Sequence, residues 1–259
     1  MNYPEILKIE ITNHCNANCV FCNNDKIKNK QNMPLWMFKK ILKSFPTARQ
    51  VQPQWFGEPM MHPDFDKIID ICKKYNKEVV FYTNGSLIDK HLPSLKKLNK
   101  ADRIIISLEG SDKEIYERIR RGLSWEKLLF NIDLIKTIPA IKNIRMTICK
   151  ENKENIKKDI SFWKRITGWK VIIANEKPLV AGRVKDGEYI KHKCLQPTHN
   201  FTVSVDGKIK LCCIDYNNQV DLGKIEKSTD LKKLWMKTKN KRHYGYPICK
   251  KCLFEFEEL

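Results

Sequence analysis

The chain has 259 residues, 42% hydrophobic and 31% charged, a length that builds one large domain or a medium one carrying a smaller appendage. Its 49 Lys and Arg against 30 Asp and Glu give a formal charge of +19, but the basic residues are mostly Lys scattered among Asn and Ile, and only 232–242 concentrates them. That pattern is a composition bias with solvated faces rather than a nucleic-acid groove. No apolar run approaches the roughly 20 residues that span a bilayer, and residues 1–13 alternate polar with apolar and carry acids, so neither a membrane span nor a secretory signal is expected and the chain is placed in the cytoplasm.

From residue 6 to 174 short β-like runs alternate with amphipathic helical runs. Strands are expected at 6–11, 51–55, 78–82, 103–107, 143–149 and 170–173. Between them helices are expected at 35–44, 65–75, 92–98, 124–137 and 154–166, where the apolar spacing is nearer 3.6 than 2. Strands alternating with helices imply an α/β fold with a parallel sheet, curled as an incomplete barrel or left open. The distinctive polar and glycine clusters each fall just after a strand, the edge where such folds keep their sites.

After Asn175 the character changes. Residues 176–192 are polar and weakly periodic, then 201–205 and 208–211 flank Asp206-Gly207 as a hairpin, and a helix is expected at 230–238. Two units follow: 1–175, and a small cysteine-pinned α+β unit at 176–259, whose core is marginal without such a staple.

Ten cysteines without an export signal point to metal binding or catalysis rather than disulfides. Cys72 and Cys149 sit alone in apolar segments and read as small buried hydrophobes. Cys15, Cys19 and Cys22 lie on a loop leaving the first strand. Three thiolates hold three irons of a cubane and leave the fourth open, whereas a closed cluster takes four. A zinc knuckle completed by His14 is the competing reading, although zinc prefers paired spacings. In the last quarter Cys194, Cys212, Cys249 and Cys252 form a second set, with Cys213 an alternative to Cys212 because adjacent strand residues face opposite ways. A structural zinc remains open for this set too.

The segment Cys15-Asn-Ala-Asn-Cys19-Val-Phe21-Cys22 resembles the cysteine motif of the radical S-adenosylmethionine (SAM) superfamily, including the aromatic residue before the last cysteine. Phe56-Gly57-Glu58-Pro59 resembles its glycine-glutamate-proline motif, Thr83-Asn84-Gly85 ends the third strand, and Ser107-Leu108-Glu109-Gly110 resembles its Ser-Leu-Asp-Gly element. The resemblance implies a partial (β/α)6 TIM-like barrel. It also implies a catalytic 4Fe-4S cluster on Cys15, Cys19 and Cys22, with SAM chelating the open iron. Phe21 would pack near the adenine, and Gly57, Glu58 and Pro59 would meet the methionyl amino group. Ser107 and Glu109 would lie near the ribose, Asn84 would be a further contact to the cofactor, and Arg120 would pair with the methionyl carboxylate.

The C-terminal cysteines and their hairpin resemble the abbreviated "twitch" form of the SPASM domain, which implies an auxiliary 4Fe-4S cluster on Cys194, Cys212, Cys249 and Cys252. A saturated cluster cannot bind substrate directly, so electron transfer or structural support is the implied work. The reaction implied is reductive SAM cleavage to a 5′-deoxyadenosyl radical. That radical would abstract hydrogen from a sugar- or cyclitol-like molecule, with a reductant such as flavodoxin or ferredoxin supplying the electron. A peptide maturase and a non-catalytic iron–sulfur scaffold are the alternatives. The substrate-side catalytic residues are not identified by sequence; Trp55, closing a strand beside Gly57, is the one tryptophan that merits a place near the site.

Overall fold

A computed structural model describes residues 3–175, 194–215, 217–243 and 246–250. Its strands are β1 (Ile6–Ile9), β2 (Asn18–Cys19), β3 (Gln50–Gln52), β4 (Glu78–Thr83), β5 (Arg103–Ser107), β6 (Arg120–Arg121), β7 (Ile141–Ile148), β8 (Lys170–Asn175), β9 (Asn200–Val203) and β10 (Ile209–Lys210). The helices are α1 (Leu35–Ser44), α2 (Phe65–Lys74), α3 (Ile88–Leu95), α4 (Lys113–Ile119), α5 (Trp125–Ile135), α6 (Ile156–Thr167), α7 (Gln196–His199), α8 (Leu231–Lys237) and α9 (Pro247–Lys250).

An eight-stranded sheet runs in the order β10-β9-β1-β3-β4-β5-β7-β8, open at both ends. Every pair from β9 to β8 is parallel, and only β9 and β10 are antiparallel. The six strands expected from sequence are therefore the sheet's continuous parallel run, as an α/β fold requires. Along it, Leu7, Ile9, Val51, Phe81, Ile104, Ile106 and Ile144 are wholly buried against the helix layer. Their spacing by two sends the intervening residues to the other face.

Local chemistry accounts for where the elements stop. Asp112, Ser124 and Asp230 accept hydrogen bonds from the first-turn amides of α4, α5 and α8. Gly168 ends α6 at φ 70°, a left-handed position that suits glycine. The second strand is shorter than the expected 51–55, because Pro53 has no amide to continue the ladder. The third helix starts earlier than 92–98: Pro93 marks its interior rather than its first turn, and buried Ile88 anchors the true start. Helix α4 was not expected at all. It has two turns, with apolar Ile115, Tyr116 and Ile119 among charges, too short for periodicity to register.

The C-terminal hairpin does not stand apart from the barrel. Strand β9 pairs with β1 from Ile6↔Asn200 to Ile9↔Val203. Below it Phe201 and Trp235 close on Phe45 at ring separations of 4.8 and 6.1 Å, so α8 is packed onto the end of α1. The expected boundary at 175/176 and the polar run 176–192 border on or lie outside the described residues, as does Cys252. Cys72 and Cys149 are buried as expected, and burial pushes both thiols up to about 12.

One buried group is out of balance. Asp159 on α6 is fully buried beside Ser111 with neither carboxylate oxygen in hydrogen-bonding geometry, and burial raises its pKa above the ordinary carboxylate value. A raised carboxyl pKa costs stability as pH climbs through it. Asp159→Asn is accordingly expected to unfold about 1 kcal/mol later than wild type near pH 8 and to match it in acid, by chemical denaturation at both pH values.

Candidate cluster and cofactor site

The cysteine loop leaves β1 and is held on three sides. Its middle forms β2, which pairs antiparallel with β6 so that Cys19 faces Arg120. The Asn24 amide donates to the carbonyls of Asn13 at 2.9 Å and Phe56 at 3.0 Å, and Lys30 Nζ donates to Asn13 O at 3.2 Å and to Asn24. Asn16 Oδ1 accepts from Asn84 Nδ2 at 2.9 Å, while Asn16 Nδ2 donates to Ser86. Asn16 and Lys30 were not singled out from sequence; for Asn16 the available signal was its place, with Asn18, between the first two cysteines.

Cys19 is buried and Cys15 and Cys22 are half-buried; none of the described cysteines forms a disulfide. Burial pushes Cys15 up to about 11, and Glu58, Cys19 and Cys22 add to it by charge repulsion; burial likewise raises Cys22. Three soft donors gathered where each thiolate penalises the next need a polycationic centre to ionise together. That donor set fits an iron–sulfur cluster. Among the described residues no three His, Cys, Asp or Glu side chains converge on a single-ion position.

Gly57 is the close contact between this loop and the next. A Cβ there would lie 2.3 Å from Thr12 O, 2.7 Å from His14 O and 2.9 Å from Asn13 Cα. The Glu58 amide donates to His14 O at 2.8 Å, so the Gly57-Glu58 turn lies directly on the backbone entering Cys15. Pro59 follows, buried, opening a short turn. The Glu58 side chain points inward, only 2% exposed. It accepts from Thr83 Oγ1 at 2.8 Å, Asn84 N at 2.7 Å and Met60 N at 3.3 Å. The expected contact to a methionyl amine would share a carboxylate already holding the third strand's end.

Burial raises Glu58 from 4.5 to about 7 against those hydrogen bonds. The folded chain therefore binds a proton there that the unfolded chain has already lost, and stability falls as pH rises through that window. Relative to Glu58→Gln, wild-type apoprotein is expected to lose on the order of 3 kcal/mol between about pH 5 and about pH 8, measured by urea unfolding.

Glu109 and Arg120 are engaged with each other. Glu109 is fully buried and takes Arg120 Nε at 2.5 Å and Nη2 at 3.0 Å, and also accepts from Thr147 N. Arg120 Nη1 turns to Cys19 Sγ at 3.5 Å, and the guanidinium lies 5.2 Å over the Phe21 ring. Desolvation works against this cation, but Glu109 and then Cys19 hold its pKa well above the ordinary value. Together Glu109 and Arg120 form a forked ion pair backing the cysteine loop. Ser107 ends β5 half-buried, opposite Arg145.

The auxiliary cysteines approach from the hairpin side. Cys194 precedes α7, Cys212 and Cys213 follow β10, and Cys249 lies in α9. Trp55 Nε1 donates to Cys213 O at 3.0 Å, and its ring stacks on Phe56 at 5.3 Å. Buried Glu10 accepts from Val205 N at 2.9 Å and Phe56 N at 3.4 Å. These two links, neither foreseen in detail, join the Gly57 loop to the hairpin. Asp215, fully buried, gathers the amides of Gln219, Leu211 and Val220 and so shapes the turn carrying Cys212 and Cys213.

The family described as "Radical SAM superfamily" matches residues 9–162, and the "Iron-sulfur cluster-binding domain" named SPASM matches residues 194–253. A probable GTP 3′,8-cyclase of Methanococcus aeolicus is 30% identical over 137 residues, covering 50% of this chain and 43% of that protein. The chain thus spans less than half of that relative's length. In fold, it superimposes on Streptococcus suis SuiB bound to precursor peptide SuiA with TM-score 0.72 at 15% identity, covering 96% of this chain and 66% of that one. It also superimposes on BtrN in complex with AdoMet and 2-DOIA with TM-score 0.59 at 17% identity, covering 96% and 88%. The cofactors of these families are a 4Fe-4S cluster with SAM and, for SPASM, an auxiliary iron–sulfur cluster. No described helix is long and apolar enough to cross a membrane. With more than half its length matched by the family and its cysteine loop, glycine turn and strand ends locked into one site, the chain belongs to the radical SAM superfamily, as an enzyme with a SPASM iron–sulfur domain.

Proposed function

We propose that this enzyme carries out a two-electron oxidation of a small polar molecule of sugar or cyclitol type. When bound, the clusters and SAM supply a 5′-deoxyadenosyl radical for hydrogen abstraction and a place for the second electron. Cys15, Cys19 and Cys22 would hold the catalytic cluster, and Cys194, Cys212, Cys249 and Cys252 the auxiliary one. Around SAM, Phe21, Gly57, Glu58, Pro59, Asn84, Ser107, Glu109 and Arg120 would form the contacts, the ion pair of the last two also fixing the cysteine loop. The observation that supports this reading is the direct seating of the C-terminal hairpin on β1, with Trp55 donating to Cys213 O, which ties the turn carrying Cys212 and Cys213 to the loop carrying Gly57 and Glu58. In this reading the units 1–175 and 176–259 work as one site, in the cytoplasm, with a flavodoxin- or ferredoxin-type donor.

Peptide maturation is the second reading, favoured by the fold likeness to SuiB, whose structure holds a precursor peptide. Perdeuterated cyclitols and sugars, offered to reconstituted enzyme with SAM, separate the two. Deuterium in the 5′-deoxyadenosine formed, with a ketone product about three mass units lighter than the deuterated alcohol offered (one carbon-bound deuterium and one hydroxyl proton lost), supports oxidation. Label transfer only from deuterated peptides moves the second reading to the front.

A further inference from the structure

Alternation along the strands sorts the sheet into two faces. Phe81 of β4 meets Phe65 of α2 edge to face at 5.7 Å, and Ile106, Ile144 and Met146 are fully buried on the same helix side. Tyr82, Ser107 and Arg145, the residues beside them, therefore take the concave face. In a barrel of this kind the interior is ordinarily filled with bulky apolar side chains. Here Gln52, Asn143, Thr202 and Lys210 occupy it, all under 10% exposed. Thr202 Oγ1 is sealed in without a hydrogen-bond partner, although it shares this face with Lys8, its register partner on β1. An amide- and cation-rich lining is built for a polar ligand.

Arg145 is the outstanding group of that lining. Arg49, Arg118 and Arg120 each have a carboxylate; among the described residues Arg145, like Arg103, Arg121, Arg165 and Arg242, has none. Its guanidinium lies 5.3 Å over the Tyr82 ring, and Nη1 donates one long bond to Tyr82 OH at 3.5 Å. Most of its donors are left for something else. Register pairs Arg145 with Ser107, and Tyr82 with Ile105. Leaning onto Tyr82 thus carries the guanidinium down the strands, away from the ends where Asn84 and the cysteine loop lie. Arg120, the guanidinium beside the cysteines, is already held by Glu109.

We propose that Arg145, propped on Tyr82, seats an oxyanion, a carboxylate or phosphate, of a molecule bound on the concave face. The inference rests on the radical SAM reading and narrows its substrate to one bearing an anionic group; the methionyl carboxylate of SAM is the other source of the same chemistry. The test uses anaerobically reconstituted wild type, Arg145→Met and Arg145→Lys, with Arg145→Gln in place of the Met chain should that fail to fold. SAM affinity is measured by equilibrium dialysis, and inorganic phosphate binding to SAM-loaded protein by phosphorus line broadening. The expected result is phosphate binding weakened at least about fivefold in Arg145→Met, kept within about twofold in Arg145→Lys, and SAM affinity unchanged, which places the oxyanion on the substrate. A loss of about tenfold in SAM affinity would place it on the cofactor, still seated by Arg145. Both affinities unchanged in Arg145→Met would overturn the proposal. Neither measurement uses turnover, so failure of wild type to cleave SAM would strike the functional reading without touching this one.

Discussion

A Gly57→Ala chain is expected to lose most of its bound iron and to unfold about 6–10 °C below wild type. The added methyl would sit 2.3 Å from Thr12 O and 2.7 Å from His14 O, and both obstacles are backbone rather than a side chain able to swing away. Relief requires the Gly57-Glu58 turn to lift off the segment entering Cys15, breaking the Glu58 N to His14 O bond and drawing Glu58 from its seat under Thr83 and Asn84. Overpacking of this kind costs about 3 kcal/mol, which in a chain of this size lowers the unfolding midpoint by roughly the stated amount. Gly168→Ala is the matched control. Gly168 takes a left-handed conformation that favours glycine, which Gly57 does not, but nothing lies within 4 Å of its Cβ position, so that chain is expected to lose only about 1 kcal/mol and to keep its iron. Equal iron loss in both would show that the Gly57 contact is not what positions the cysteines.

Arg120→Leu is the second large effect. It leaves the Glu109 carboxylate fully buried with only the Thr147 amide to answer it, and removes the Nη1 contact to Cys19. Breaking one side of a buried ion pair costs about 3–5 kcal/mol, whereas replacing both sides by apolar residues is often nearly neutral. Urea unfolding of apoprotein is therefore expected to show a severe loss for Arg120→Leu and substantial recovery in Glu109→Leu/Arg120→Leu. Iron retention should not recover in the double variant, because β2 and β6 still meet but the cation beside Cys19 is gone. Recovery of both would reduce the pair to a packing element.

What the sequence made legible follows from the range of the signal. The parallel run was readable because alternation such as Leu7, Ile9 and Ile11 leaves a local trace, and the cysteine spacing is local as well. The placement of Gly57 was readable only as a motif; that its hydrogen faces Thr12 and His14 depends on a crossing of two loops some forty residues apart. Glu109 and Arg120 were picked out, but their mutual engagement was not, since the loop and the seven-residue helix α4 between them decide whether the two side chains meet. Nor did the hairpin's seat on β1 show, because a strand does not carry the name of its neighbour. Arg145 was invisible for the same reason: in isolation it is one cation in a basic chain, and only register puts it opposite Ser107 with Tyr82 beneath it.

The most direct measurement is anaerobic reconstitution with iron and sulfide, then iron counting and SAM cleavage under a reductant, on wild type and Cys15→Ala/Cys19→Ala/Cys22→Ala. About eight irons in wild type, about four in the variant and 5′-deoxyadenosine from wild type alone are the expected results. About four irons in wild type with cleavage intact would remove the auxiliary cluster, and a fully loaded wild type that leaves SAM whole would contradict the assignment of catalysis to this site.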